Sequence, residues 1–228
     1  MDAATAEMKA KFLAFLQDED IRKEVRKLFG VEEKEREIAE LKSLVKTQEA
    51  QIADQDKRLN ELEQYSRRNC LSYTGIPEES AENPVQLAID LAKTVGVKLD
   101  RTDLDRAHRV ERVGQGQKPR PLLVKYATYQ RREQVWSARK VMRDAKPPRG
   151  SSLPENIMRN VYLQESLTRR NQEIMFAARE LRRKKKLWAV WTDSCIMKVR
   201  VREGSPTVRI TSMDDLLKAA GVDDDSQK

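Results

Sequence analysis

Apolar residues recur alternately three and four positions apart along residues 31–66, a stretch without glycine or proline. With heptads numbered from Val31 as position a, seven of the eleven a and d positions are apolar. A stripe that repeats every 3.5 residues is buried against a partner helix, so the pattern predicts a coiled coil about 54 Å long. The residues predicted to form its seam and flanking contacts are Val31, Ile38, Leu41, Val45, Gln48, Ile52, Gln55, Arg58, Leu59, Leu62 and Glu63.

The number of chains in this coil is indicated by its polar positions. Gln48 and Gln55 at d weaken the seam but can set its register, and the β-branched a positions alone are compatible with a dimer. Arg58 and Glu63, however, have the spacing at which an arginine at g pairs with a glutamate at the following e of a neighbour, which favours a parallel trimer. The alternative is one amphipathic helix packed on its own domain, although a strict heptad of this length is uncommon there.

Residues 1–30 carry a denser apolar pattern that ends at Gly30, just before the heptads begin. This helical N-terminal segment is compatible with an extension of the coil and with a separate short helical module. The pattern does not decide between the two.

Strand-like alternation replaces the heptads after residue 66. The predicted elements, in chain order, are a strand over 70–75, a helix over 84–95, strands over 104–110 and 120–127, and a helix over 128–143. This is the order of an RRM: strand, helix, strand, strand, helix and a final strand, of which the last is left open here. Residues 67–150 are therefore predicted to form an RRM-like βαββαβ domain.

The rest of the chain follows a linker over 146–152 that is rich in proline, glycine and serine. Its predicted elements are a long basic helix over about 155–185, short antiparallel strands over 188–192, 196–202 and 207–210, and a capped helix over 213–220. The predicted fold class is thus α+β: an N-terminal coiled coil, a non-standard RRM-like domain, a small α+β C-terminal domain over 151–221 and an acidic tail over 222–228.

Charge is distributed unevenly along the 228 residues, which carry 45 lysines and arginines against 37 acidic residues. Residues 1–66 have 12 basic and 16 acidic side chains, and residues 67–212 have 31 basic and 16 acidic ones, a net charge of +15. A basic body between two acidic ends favours a polyanionic partner, most simply nucleic acid. The alternative is a surplus of solvated lysine and arginine.

Residue types that catalyse reactions or bind metals are scarce, with one histidine, His108, and two cysteines, Cys70 and Cys195. Nucleophile-elbow, phosphate-loop and dinucleotide-binding motifs are missing from the sequence, so we expect neither an enzyme nor a metal or cofactor. No apolar run is long enough to span a membrane, and charges interrupt the apolar stretches near the start, unlike in a secretory signal. We expect a reducing, intracellular compartment.

A series of short motifs follows one another from residue 67 to residue 193. They are Arg67-Arg68-Asn69-Cys70-Leu71, Gly75-Ile76-Pro77-Glu78, Asp105-Arg106-Ala107-His108-Arg109-Val110, Arg120-Pro121-Leu122-Leu123-Val124-Lys125-Tyr126, Ala138-Arg139-Lys140, Ala177-Ala178-Arg179 and Ala189-Val190-Trp191-Thr192-Asp193. In order and spacing they resemble the RNA-binding protein from the first open reading frame of LINE-type (non-LTR) retrotransposons. The C-terminal region is also similar to the baculovirus few-polyhedra protein. The resemblance covers about residues 31–215.

The resemblance implies a homotrimer that binds single-stranded RNA and DNA between its two folded units. It also implies a nucleic-acid chaperone that packages the element's transcript into a cytoplasmic ribonucleoprotein. Residues 182–186 are five consecutive bases, compatible with a nuclear localisation signal, an RNA contact or a solvated helix end. The alternative function is a coiled-coil structural or adaptor protein whose basic surface docks acidic proteins.

Matched onto this sequence, the resemblance assigns nucleic-acid binding to Arg67, Arg68, Asn69, Arg106, Arg109, Arg120, Lys125, Arg169, Arg170 and Arg179. A typical RRM also stacks bases on aromatic residues of its central strands. Here Tyr73 and Tyr126 share the predicted core face of their strands, and the opposite face has no aromatic residue. We therefore expect arginine and lysine contacts to phosphates, with arginine stacking and little sequence specificity.

Overall fold

Helices account for the first part of the chain. In the computed structural model, which describes residues 3–110, 119–151, 153 and 157–221, α1 spans Ala3–Gln17, α2 spans Glu19–Leu28 and α3 spans Val31–Ser66. The helix predicted over residues 31–66 is confirmed. The predicted acidic tail, residues 222–228, lies outside the described residues.

Two breaks separate these three helices. Asp18 caps α2, because its Oδ1 accepts hydrogen bonds from the backbone N–H groups of Asp20 and Ile21 at 2.9 and 3.3 Å. Gly30 follows α2 with a φ of 59°, in the left-handed region that glycine adopts without steric cost. Residues 3–28 are thus two helices, and Gly30 separates them from α3.

The chain divides into two compact units, and the boundary between them, at residues 58 and 59, lies within α3. No residue of α3 is buried. From Ile38 onwards the apolar heptad residues are open to solvent, with exposed fractions from 49% at Ile38 to 68% at Leu62.

Beyond α3 the chain alternates strands and helices. The elements are β1 Cys70–Thr74, α4 Pro84–Thr94, β2 Leu104–Arg109, β3 Leu122–Tyr126, α5 Tyr129–Ala138 and β4 Tyr162–Glu165. The strands pair antiparallel in one sheet, in the order β2-β3-β1-β4. Short 3-10 helices lie at Arg101–Asp103, Arg139–Asp144 and Ile157–Asn160, so the helix predicted over 128–143 changes to 3-10 geometry after Ala138.

The core of this sheet lies on the predicted face. Tyr73 of β1 and Val124 and Tyr126 of β3 are fully buried, and the two tyrosine hydroxyls hydrogen-bond to each other at 2.9 Å. Gly75, just after β1, has a φ of 86°, and a Cβ there would lie 1.9 Å from the carbonyl oxygen of Asn160. Only glycine therefore fits where β1 ends.

The prediction of a long basic helix over 155–185 is wrong in its first half. The helix α6 begins only at Arg169, after a 3-10 helix and the strand β4, which pairs with the edge of β1. Thr168 caps α6 and sets its start, since its Oγ1 accepts a hydrogen bond from the backbone N–H of Asn171. The first core also continues past residue 150, because Ile157, Met158 and Val161 are buried in it.

The last elements form a second, smaller core. They are α6 Arg169–Arg183, β5 Ala189–Asp193, β6 Ile196–Arg200, β7 Val208–Ile210 and α7 Met213–Ala220, with the strands antiparallel in the order β5-β6-β7. Ile174 and Ala178 of α6 pack with Val199 of β6 and Leu216 of α7. The predicted strands and the predicted helix over 213–220 are confirmed, and the whole is a mixed helix-and-sheet fold.

Candidate nucleic-acid interface

A groove of about 770 Å³ lies between the outer face of the four-stranded sheet and helix α6. Its floor is the side of the strands opposite to the core, at Ser72 and Thr74 of β1, Leu123 of β3 and Gln164 of β4. Successive side chains of a strand point to opposite faces, so burying Tyr73 and Val124 directs these neighbours into the groove.

The wall of the groove is one face of α6. Arg169, Gln172, Phe176 and Arg179 line it, and their spacing of three and four residues places them on one side of the helix. The buried residues Ile174 and Ala178 belong to the second core, so packing determines which side of α6 faces the groove.

Phe176 is the aromatic side chain of the groove, where the outer faces of β1 and β3 have none. It is 64% exposed and lines the groove between Arg169 and Arg179 on the same helix face. Reasoning from the strands missed it, although a phenylalanine on the charged side of an amphipathic helix is a signal that the sequence contains. An exposed aromatic ring beside arginines can stack on an unpaired base.

The end of α3 is held at the start of α6 by side-chain amides. Gln64 Oε1 accepts hydrogen bonds from the Thr168 backbone N–H at 3.0 Å and from Asn171 Nδ2 at 2.8 Å, and Gln64 Nε2 donates to the Ser166 carbonyl at 2.9 Å. The Thr168 hydroxyl donates to Asn60 Oδ1 at 2.6 Å. Asn60 and Gln64 take heptad positions b and f, so this contact does not use the a and d positions.

Both acidic residues that line the groove have basic partners. Glu173 is paired with Arg169 at 3.3 Å. Glu165 is buried and forms an ion pair with the buried Arg132 of α5, and its Oε1 also accepts a hydrogen bond from the Cys195 backbone N–H at 2.9 Å. The Glu165 carboxylate therefore joins α5, β4 and the β5–β6 turn, and Arg132 compensates its charge.

The β5–β6 turn is itself held in an uncommon conformation. Ser194 and Cys195 have φ values of 52° and 62°, in the left-handed region that non-glycine residues seldom occupy. The hydroxyls of Tyr129 and Ser194 are 3.1 Å apart, and the Cys195 N–H donates to Glu165. These contacts hold the turn against α5 and β4.

Neither thiol is activated as a nucleophile. Burial, together with the Glu165 carboxylate, raises the pKa of Cys195 to about 12, and burial raises the pKa of Cys70. Burial, and then the charge of Arg106, lowers the pKa of His108, which favours its neutral imidazole. Nothing in these three environments resembles an activated nucleophile with its base.

Three of the residues predicted to bind nucleic acid come together at the groove: Arg67, Arg169 and Arg179. Arg67 is also paired with Glu63 at 2.8 Å, and its Nη1 donates to the Ser166 hydroxyl at 3.4 Å. The groove thus gathers arginines from the end of α3 and from α6.

Arg109, by contrast, is enclosed within the fold. Its side chain is 4% exposed and forms two hydrogen bonds of 2.8 Å with Glu82. It also donates to the carbonyl oxygens of Ile76, Pro77 and Arg120, at 3.0, 2.9 and 2.7 Å. The guanidinium therefore has a structural role where nucleic-acid binding was predicted, and it offers no face to a phosphate.

The other predicted residues of the sheet have partners or point elsewhere. Arg120 is paired with Glu78 at 2.8 Å, and the side-chain hydrogen bond from Arg120 lowers the pKa of that carboxyl. Lys125 is paired with Asp105 at 2.6 Å. Arg106 is exposed on β2 and does not line the groove.

Three further predicted residues lie outside the groove lining. Arg68 is exposed and stacks over the Tyr65 ring, with 3.9 Å between its Cζ and the ring centroid. Asn69 is half-buried, and its carbonyl oxygen accepts a hydrogen bond from the Tyr126 backbone N–H. Arg170 is exposed on α6 but does not share the face of Arg169 and Arg179 that lines the groove.

The described part of the chain contains no helix with both the length and the apolar character that crossing a membrane requires. Among the same residues, no three histidine, cysteine or acidic side chains gather where they could hold a metal ion. A scan of the sequence against protein-family models finds no match, and a search of the curated proteins finds none either.

Proposed function

We propose that this protein binds single-stranded RNA or DNA in the groove, with little sequence preference. The observation that carries the proposal is the juxtaposition of Arg67, Arg169 and Arg179 with the exposed ring of Phe176. Arginines that meet phosphates, combined with an aromatic ring that stacks on bases, are the usual components of a single-strand site. A base in a duplex is already stacked and paired, so the ring favours an unpaired strand.

The architecture around the groove supports an RRM-like domain as its platform. The chain order is strand, helix, strand, strand, helix, strand, and the four strands form one antiparallel sheet. The departure from a typical RRM lies in the aromatic group, which comes from α6 and not from the two central strands. Binding through phosphates and one ring predicts low specificity, because phosphate contacts carry no sequence information directly.

Low specificity and the resemblance to retrotransposon RNA-binding proteins both favour a role as a nucleic-acid chaperone. We propose that the protein packages a transcript into a ribonucleoprotein. In that role the protein must coat many sequences and release them. Contacts to phosphates allow such release, because salt counterions compete with the arginines for the phosphates at moderate salt.

The test is fluorescence anisotropy of the full chain with two unrelated single-stranded RNAs at two salt concentrations. We expect similar affinities for both RNAs and a steep fall with salt. Arg169→Gln plus Arg179→Gln should flatten the salt dependence by about 1.4 in slope, at about 0.7 per phosphate. Arg202→Gln plus Arg209→Gln removes two exposed arginines away from the groove and serves as the matched control.

An absence of RNA binding by the wild-type chain, even at low salt, would overturn this function. The basic surface would then be assigned to acidic protein partners, and the coiled-coil adaptor function would take precedence.

We also propose that α3 assembles the protein into a homotrimer. Its apolar a and d residues from Ile38 to Leu62 are exposed, while Asn60 and Gln64 contact the start of α6 from positions b and f. An apolar stripe with this period is stabilised when a second copy covers it. Sedimentation equilibrium should give three times the chain mass of 26.4 kDa. Twice that mass would change only the number of chains, and a monomer would reject the assembly.

A further inference from the structure

A second concave site, which we call the basic cleft, lies among the 3-10 helices Arg139–Asp144 and Ile157–Asn160, strand β4 and Arg179 of α6. Arg139 and Arg143 line it from the 3-10 helix Arg139–Asp144, Arg159 from the next 3-10 helix, and Tyr162 from β4. Its volume is about 410 Å³. None of these four side chains belongs to the residues that the sequence assigned to nucleic-acid binding.

The basic cleft is more strongly positive than the groove. Within the described part of the chain, no acidic residue lines it, whereas Glu165 and Glu173 line the groove. Arg143, Arg159 and Arg179 form no ion pair with any described residue, and all three are exposed. Their charges are therefore available to an anion from outside the chain.

Arg139 is positioned differently from these three arginines. Its guanidinium stacks on the Trp136 ring, with 3.8 Å between its Cζ and the ring centroid, and its Nη1 donates to the Trp136 carbonyl at 2.6 Å. A guanidinium held in this way presents a fixed charge in the lining of the basic cleft.

The basic cleft and the groove are continuous. Gln164 and Arg179 line both of them. Tyr162 and Gln164 are two residues apart on β4, and therefore point to the same face of the strand. The rings of Phe176 in the groove and of Tyr162, which is 63% exposed in the basic cleft, thus lie on either side of this junction.

We infer that a single strand of nucleic acid leaves the groove over Arg179 and continues into the basic cleft. There Arg143 and Arg159 bind its phosphates, and Tyr162 stacks on a base. This inference rests on the proposed function and extends it, because it makes the binding site longer than the groove alone. Affinity should then rise with strand length until both parts of the site are filled.

The test compares binding of the full chain to single-stranded oligonucleotides from about 4 to about 16 nucleotides, the range of site sizes known for single-strand-binding domains. Arg143→Gln plus Arg159→Gln should leave the affinity for the shortest strands unchanged. On the longest strands it should weaken binding and flatten the salt dependence by about 1.4 in slope. Tyr162→Ala should weaken binding of the longest strand about tenfold.

The matched control is again Arg202→Gln plus Arg209→Gln, and thermal melting by circular dichroism checks that each variant is folded. If the Arg143→Gln plus Arg159→Gln variant follows the wild type at every length, the inference is overturned, and an equal loss at every length would overturn it as well. A wild-type chain that binds no oligonucleotide of any length would reject the proposed function itself, which is a distinguishable result.

Discussion

Two sets of basic side chains on the same domain differ in what they contact. In and beside strands β2 and β3, Arg109, Arg120 and Lys125 are each paired with a carboxylate. In the basic cleft, Arg143 and Arg159 have no acidic partner among the described residues. Both sets contribute to the same net charge, but only the second has charge to spare for a polyanion. Net charge therefore indicates the class of partner without locating its site.

The largest expected effect is a loss of folding stability on removing one of the paired basic residues in and beside β2 and β3. Arg109→Ala leaves Glu82, which is 16% exposed, without its partner and three carbonyl oxygens without their donor. Removing one partner of a buried pair costs about 3–5 kcal/mol, so we expect a fall of that size in the free energy of unfolding, measured by urea denaturation.

Arg106→Ala is the control for this change, because Arg106 lies on the same strand and is exposed. Its effect on the free energy of unfolding should stay within about 0.5 kcal/mol. Equal losses for the two variants would show that the enclosure of Arg109 contributes nothing to stability.

A smaller effect, on affinity, separates the paired from the unpaired charges. Arg179→Gln and Lys125→Gln each remove one positive charge from an exposed side chain. Because Arg179 joins the groove to the basic cleft, its variant should lose about tenfold in affinity for single-stranded RNA, as expected for a lost charge-assisted hydrogen bond. The Lys125→Gln variant should lose far less affinity, because Lys125 is already paired with Asp105. Anisotropy titrations at one salt concentration measure both, and a larger loss for Lys125→Gln would reverse the assignment.

The smallest effect is the response to acid. Hydrogen bonds from Arg109 lower the pKa of Glu82 below its ordinary value of 4.5. A carboxyl whose pKa is lower in the folded state stabilises the fold above its unfolded pKa, and this contribution is lost as pH falls through the folded pKa. The wild type should therefore lose stability below about pH 4.5 more steeply than Glu82→Gln. Urea midpoints measured against pH give both slopes, and parallel curves would contradict the pairing.

Local pattern predicted most of the fold. The heptads that begin at Val31 predicted α3, and the alternation around Tyr73 and Val124 predicted the buried face of the sheet. A final strand was left open, but β4 was not located, because residues 162–165 are too few to carry a strand pattern and were placed in a helix; pairing with β1 is what makes them a strand. A short segment of this kind depends on a partner that is distant in the chain.

The candidate site was predicted less completely than the fold. Arg169 and Arg179 were identified from the family resemblance and share the groove, but Arg170, next to Arg169, does not line it. Phe176 was missed because only the strands were considered for a stacking residue, and Tyr162 was missed because its segment was predicted to be part of a helix. Helix phase explains these differences, since the burial of Ile174 and Ala178 determines which side of α6 faces the strands.

The apolar stripe of α3, the order of strands and helices as far as α5 and the basic character of the body could all be read from the chain before it folds, because each depends on residues close together in sequence. Which arginines are available to a ligand could not be read from the sequence. Arg109 meets Glu82 across 27 residues of chain, and Arg179 meets the residues of β4 because two separate cores pack α6 and the sheet side by side. The availability of a charge depends on its neighbours in space, and folding brings those neighbours together.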